Sequence, residues 1–360
     1  MTNIERYKTP YKLGREVLGP SGIHGQYDEK AVDSPFVFWH NGRYHMMHVG
    51  FDGIGYQTAL AASDDLLHWE KEFVMFPRGQ QTGWDKGGIA GVWILKENDL
   101  HGRPTLKKWQ GKYWLVYHSY PDAGYEAGPA CIGLAYTTDE TLREWTRLPE
   151  PILRWQYGSA WEQAGLYKGC LVEHKNKLYL FYNAKDSEEW LWHEQIGMAT
   201  SEDMFNWTRC GDNPIIANTP NGWDSAFCAD PCIVQDKDRW LMFYYGYNGE
   251  HAQEGIAFSE DLLHWKKENA PILCSGAAGS LDELHTHKPS VIEKDGVLYH
   301  YYCAVRPGRQ DDYAVNADPT QQDGQASEYR CISVATSNAV SISLDGLFFK
   351  TTDNPWRRKT

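Results

Sequence analysis

Asp33, Lys168, Asp230, His287 and Lys288 are the residues whose types and places along the chain could do chemistry together. Each stands at the head of an apolar run, where a plain scaffold would accept an apolar residue. The runs are Ser34-Pro35-Phe36-Val37-Phe38, Gly169-Cys170-Leu171-Val172, Pro231-Cys232-Ile233-Val234 and Pro289-Ser290-Val291-Ile292. Gly91 heads a fifth, Val92-Trp93-Ile94-Leu95. Burying charges in such places is costly unless they pair or function. In one reading Lys168 and Lys288 neutralise Asp33 and Asp230. In the other they line a polar pocket, with one aspartate as a base and another group as an acid.

A repeated supersecondary unit must position these residues. A small residue, Thr or Ser, an acidic pair, two apolar residues and Trp recur with variation. The copies run Ala62 to Trp69, Tyr136 to Trp145, Thr200 to Trp207 and Phe258 to Trp265, and Ala335-Thr336-Ser337 is a truncated fifth. Such self-similarity specifies an array of one unit. Each unit reads as an apolar first strand, a turn such as His40-Asn41-Gly42, an aromatic second strand such as Tyr113-Trp114-Leu115-Val116-Tyr117, and two more strands flanking the phrase. The expected fold is all-β, a five-bladed β-propeller with four antiparallel strands per blade. It forms a single domain over 1–360, with blades at about 31–80, 84–153, 159–216, 222–273 and 281–350 and the N-terminal segment closing the ring. Blade 2 departs from the pattern. Either residues 96–109 intervene between its first strand and the turn, or Pro104-Thr105-Leu106 is its inner strand.

Antiparallel pairing puts the start of each first strand and each turn between strands 2 and 3 on one face. Aligned on the second-strand aromatics, the ring around the axis reads Asp33, Gly91, Lys168, Asp230 and Lys288, with His287 beside the last. Trp84-Asp85, Trp161-Glu162 and Trp223-Asp224 each lie seven residues before a ring position, and Leu281-Asp282 fits the same count. A carboxylate that recurs in this way reads as a structural cap, which sets Glu162 last among the candidate acids.

The protein has 360 residues, 42% hydrophobic and 14% aromatic, with 16 Trp and 22 Tyr for sheet packing or sugar stacking. Lys and Arg total 35 against 48 Asp and Glu, a formal charge of −13, which argues against a nucleic-acid partner. No apolar run reaches the ~18 residues of a membrane span. Met1 to Gly14 lacks the apolar stretch of a signal peptide. A cytoplasmic protein is expected, or a secreted or periplasmic form with its leader removed. The eight cysteines carry no CxxC pairs and read as buried reduced thiols.

The Ser-x-Asp-Leu-x-x-Trp phrase, Asp33-Ser34-Pro35 and Asp230-Pro231 resemble the five-bladed propeller glycoside hydrolases, the superfamily of families 43, 32, 68, 117 and 130, with family 43 nearest. The resemblance covers nearly the whole sequence. It implies a blade-1 Asp as general base of an inverting hydrolysis, or as nucleophile in family 32, and Asp33 matches that place with Ser34 interposed. Asp230 matches an Asp-Pro opening but stands in the fourth blade, where those families usually carry a Glu. The third blade offers Lys168-Gly169-Cys170 instead of a second Asp.

Three residues compete for the acid. His287 resembles the His acid of family 117; its alternative, shared with His285, is to bind water or a structural calcium in the channel. Glu194 breaks the repeat at the strand 2–3 turn of blade 3, where blade 4 has Ala252. Glu162 is third, and Asp230 itself is an acid if burial raises its pKa. The same face supplies the candidate substrate contacts Tyr56, Gln57, Trp93, His118, Tyr125 and Glu126, joined by Lys168, Lys288, His193, His251 and Arg306 with Arg309. Trp190 and Trp192 either stack on a sugar or cover the blade.

The implied activity is exo-acting, inverting cleavage of a glycosidic bond in an oligosaccharide, with no cofactor required. The excess of Lys, Arg and His hints at an anionic substrate, while a neutral furanoside suits the Asp pair equally. The alternatives are a phosphate-dependent phosphorylase and a non-catalytic carbohydrate-binding propeller.

Overall fold

The computed structural model describes residues 4–78, 83–189, 192–310, 312, 316–317, 327–340, 342–344 and 347–349. Blade 1 is built from Ala31–His40, Arg43–Phe51, Tyr56–Ser63 and Glu70–Phe76, and blade 2 from Gly88–Ile94, Tyr113–Tyr120, Cys131–Thr137 and Thr146–Arg147. Blade 3 comprises Leu166–His174, Lys177–Lys185, Glu194–Ser201 and Thr208–Arg209; blade 4 comprises Phe227–Asp236, Arg239–Tyr247, Ala252–Ser259 and Lys266–Lys267. In blade 5, His285–Lys294, Val297–Pro307 and Ser327–Thr336 are completed by the N-terminal strand Tyr11–Lys12, which pairs Tyr11 with Thr336. The inner strands of successive blades touch in order, and that of blade 5 touches that of blade 1. The fold is the five-bladed all-β propeller.

The repeated phrase makes a turn rather than a site. Asp65 accepts the backbone N–H of Leu67 and of His68, Leu66 sits buried at a φ of 72°, and Trp69 donates its indole N–H to the Leu66 carbonyl. Asp203 and Asp261 repeat this with Trp207 and Trp265. A carboxylate that holds two amides and a Leu under a Trp explains the recurring spacing without any chemistry.

The acids that precede each blade are structural. Asp85, Glu162, Asp224 and Asp282 each meet a cation from the fourth strand of their own blade: Arg147 at 2.8 Å, Arg209 at 2.8 Å, Lys267 at 2.6 Å and Lys12 at 2.5 Å. Each also accepts a second-strand hydroxyl, from Tyr117, Tyr182, Tyr244 and Tyr302. In blade 1, Asp28 pairs with Lys71 in the same way. Glu162 therefore ties the segment before blade 3 to its second and fourth strands, the structural-cap role the repeat implied, and it does not line the cavity at the strand starts. Glu162→Gln is expected to cost about 2 kcal/mol in urea unfolding, because Arg209 loses its counter-charge. Turnover per folded molecule stays at the wild-type level.

Blade 2 keeps Gly88–Ile94 as its inner strand, so the first of the two alternatives holds. The inserted segment runs across the far ends of other inner strands. Trp39 N–H bonds Pro104 O, Leu100 N–H bonds Gln235 O, and His101 lies between Asp236 at 2.9 Å and Glu293 at 3.1 Å. These contacts tie the insertion to the inner strands of blades 1, 4 and 5 at the ends opposite the strand starts. All eight cysteines are free, and six are buried. Among the described residues no helix is long and apolar enough to cross a membrane.

Candidate active site

The inner strands of blades 1, 3, 4 and 5 each carry a bulge, where pairing to the second strand skips. One residue at each bulge has left-handed backbone: Ser34 (φ 53°), Lys168 (47°), Asp230 (57°) and Lys288 (64°). Such strain in non-glycine residues is kept where it re-aims a side chain. The true ring is thus Ser34, Lys168, Asp230 and Lys288. Asp33 stands one residue earlier, level with Tyr167, Ala229 and His287, which corrects its sequence alignment. In blade 2, a Cβ on Gly91 would lie 2.8 Å from a Thr58 methyl, because Gly91 N–H donates to Thr58 Oγ1 at 2.7 Å.

The four ring residues open into a cavity of about 280 Å³. Second strands add His118, Tyr120, Asn183, Lys185, Tyr245 and Tyr247. Third strands and the connections before them add Tyr56, Tyr125, Glu126, Trp192, Glu194 and Arg330. Tyr167, Phe227, Ala252, His285 and His287 complete it. Aromatic rings pack in two groups along the wall: Tyr120 packs on Tyr167, and Trp192 stacks on Phe227, which packs on Tyr247. Of the sequence candidates, Asp230, Glu194, His287, His285, Lys168, Lys288, Tyr56, His118, Tyr125, Glu126 and Trp192 line this space.

Asp33 does not line it and is 1% exposed. Its Oδ2 accepts from Lys288 at 2.7 Å, Arg330 at 3.2 Å and Tyr125 at 3.4 Å, while Oδ1 accepts the Ser34 amide. Burial pushes this carboxyl up, but Lys288 and Arg330 outweigh burial and hold it well below the usual carboxylate range. Both oxygens are occupied, so the group expected to be the base is an anchor for two cations. Arg330 also binds Glu328 at 2.6 Å.

His287 is equally committed. Its Nδ1 faces the Cys303 carbonyl at 3.1 Å and its Nε2 faces Arg330 Nη1 at 3.0 Å. The ring is neutral, donating from Nδ1 and accepting at Nε2; burial, Arg330 and Lys288 push its pKa well down. Its Nε2 carries no proton for a leaving group and its Nδ1 proton is directed at the Cys303 carbonyl, an arrangement that does not suit an acid. A guanidinium at that nitrogen also does not fit calcium, which takes oxygen ligands. Among the described residues no group of three or more His, Cys, Asp or Glu is arranged to hold a metal.

Three carboxylates remain on the wall. Glu194 is partly buried; Trp192 Nε1 donates to its Oε1 at 3.0 Å and Asn183 Nδ2 to its Oε2 at 2.9 Å. Burial, reinforced by the charges of Glu126 and Asp230, raises its pKa to about 7 despite the Trp192 hydrogen bond. Glu126, held at a φ of 50°, accepts from Tyr56 OH at 2.9 Å and Lys288 Nζ at 3.3 Å, with its side chain 35% exposed. Asp230 lies 3.6 Å from Lys168 Nζ, and burial raises its pKa.

The remaining expected contacts point elsewhere. Gln57 bonds Asp52, His193 pairs with Asp186, and Arg306 pairs with Asp312. His251 faces the Leu284 carbonyl, Arg309 donates to Gly279 O, and Trp93 is buried against Phe36. None of these six lines the cavity. Trp190 lies outside the described residues. Arg330, Tyr120, Tyr167, Asn183, Lys185, Phe227, Tyr245 and Tyr247 are wall residues that the sequence reading missed.

The sequence matches the family described as "Glycosyl hydrolases family 32 N-terminal domain" over residues 97–317. Among solved structures, a BT0996 RGII complex is similar with a TM-score of 0.76 and 28% identity, covering 93% of both proteins. Another, described as "Glycoside hydrolase", gives a TM-score of 0.75 and 27% identity over 94% of this protein and 96% of that one. The beta-1,2-mannobiose phosphorylase of Thermoanaerobacter sp. (strain X514) is 28% identical over 136 residues, 34% of this protein and 44% of that one. The match thus spans less than half the length of that curated relative. Family 43 is nearest in the sequence motifs, whereas the family matched is 32, in the same propeller superfamily.

Proposed function

Because this protein belongs to the glycosyl hydrolases family 32 N-terminal domain family, we propose that its cavity is the site of an exo-acting, inverting glycosidase acting on oligosaccharides. The observation that carries this reading is the place of Glu194, a partly buried carboxyl on the cavity wall held by Trp192 and Asn183, whose pKa burial raises to about 7. A general acid works best when its pKa lies close to the working pH. Glu194 protonates the leaving oxygen. Glu126, bonded by Tyr56 and Lys288 and reached by solvent, serves as the base for the attacking water. The oxocarbenium-like charge of the transition state develops between them, in a pocket walled by aromatic rings.

Phosphorolysis needs cations free for phosphate. Here Lys288 and Arg330 are bound to Asp33 and Glu328, Lys168 faces Asp230, and Lys185 lies over the Trp192 ring, which leaves no cluster of unpaired cations for a phosphate among the described wall residues. Hydrolysis is therefore the favoured reaction. The experiment is turnover of a panel of aryl furanosides, aryl pyranosides and oligosaccharides, with and without inorganic phosphate, the product anomer being followed by proton NMR. Phosphate-independent release of the inverted anomer is expected. Turnover that requires phosphate would transfer the enzyme to the phosphorylases, and a retained anomer would make Glu126 a nucleophile.

A further inference from the structure

Lys168 poses a problem that the acid and base do not solve. Its side chain is buried with the residue 6% exposed, it lines the cavity, and its Nζ has no hydrogen-bond partner. Asp230 Oδ2 is 3.6 Å away, too far for a hydrogen bond and too near for indifference. Both residues are on strained bulges whose backbone is held in place: Lys168 N–H bonds His118 Nδ1 at 3.2 Å, and Asp230 N–H bonds Asn183 Oδ1 at 3.4 Å. A buried ion pair held apart and unbonded is unfavourable by itself. A hydroxyl placed between the two satisfies both, accepting from the ammonium and donating to the carboxylate.

Charge pairing limits what else could sit there. Lys288 is neutralised by Asp33 and Glu126, and Arg330 by Glu328 and Asp33. Lys185, the other cation on the wall, lies over the Trp192 ring at 3.7 Å. A carboxylate at the Lys168 position would meet the like charge of Asp230 there, with Lys288 and Arg330 already paired.

We propose that the Lys168–Asp230 pair is the recognition element for the terminal sugar, seating a ring hydroxyl between Nζ and the carboxylate, and that it selects neutral sugars over sugar acids. This rests on the cavity being a sugar site, but not on catalysis. It replaces the anionic substrate hinted at by the count of basic residues. Asn183 and His118 fix the two backbones, so the slot is formed before the sugar arrives.

The test is direct binding, measured by saturation-transfer NMR and calorimetry on the full-length protein, which needs no turnover. The probes are arabinose, galactose, mannose and fructose, with glucuronate and galacturonate as acids. At least one neutral sugar is expected to bind about tenfold more tightly than either acid. Lys168→Met is expected to weaken that sugar about tenfold; it also takes the counter-charge from buried Asp230, so affinity is compared per folded molecule, with the folded fraction read by thermal unfolding. Lys168→Gln, which keeps a donor, retains part of the binding and serves if the Met variant does not fold. Acids binding as tightly as neutral sugars, no sugar binding at all, or unaltered affinity in both variants would overturn the proposal. Binding without hydrolysis would leave it standing and remove the catalytic reading instead.

Discussion

Glu194→Gln is expected to lower kcat by about a thousandfold on substrates with poor leaving groups, with KM little changed. The amide oxygen keeps one of the two hydrogen bonds that Trp192 and Asn183 donate, and the NH2 group has no acidic proton to transfer. The pH dependence follows from the raised pKa. Glu194 must be protonated to act, so the wild-type rate holds below pH 7 and falls as pH rises through about 7, the value that burial and its acidic neighbours set. The variant lacks that alkaline limb. A profile of kcat against pH for both proteins checks the point, and an identical alkaline limb in the variant would assign the titration to another group.

The second large effect is on folding rather than rate. Asp33→Asn leaves Lys288 and Arg330, both buried, short of a counter-charge. Breaking a buried ion pair from one side costs about 3–5 kcal/mol. The carboxyl's folded-state pKa lies below its unfolded value of about 3.8, so its contribution is present above that pH and is lost as pH falls. Urea unfolding should show a wide gap between wild type and variant at pH 7, which narrows below pH ~4. A variant of wild-type stability with no activity would return Asp33 to the catalytic machinery.

The architecture was legible because its signals are local and repeated. The Asp of each phrase holds the following amides, and the acid before each blade reaches a cation on the fourth strand, so spacing alone reveals them. The ring was misread by one residue at Asp33. Aligning Pro35 with Pro231 and Pro289, instead of aligning the second-strand aromatics, gives the observed register. Arg330 and Asn183 were invisible for a different reason. They lie within strands, and which face they present depends on pairing that no single strand encodes. Gln57, His193 and Arg306 were placed on the correct end of their blades, but each is drawn aside by an acid a few residues away: Asp52, Asp186 and Asp312. Those partners stand in the sequence and could have been weighed. Glu194 was found because it breaks a repeat, and Glu126 only as one contact among several.

The most direct measurement compares aryl glycosides whose leaving groups differ in basicity. A 2,4-dinitrophenyl leaving group departs without protonation, whereas a 4-nitrophenyl or sugar leaving group needs more help from an acid. If Glu194 is the proton donor, Glu194→Gln loses about a thousandfold on the more basic leaving groups and less than about tenfold on 2,4-dinitrophenyl. Equal losses across the series would contradict the assignment of Glu194 as the acid, and with it the account of how this cavity cleaves a glycosidic bond.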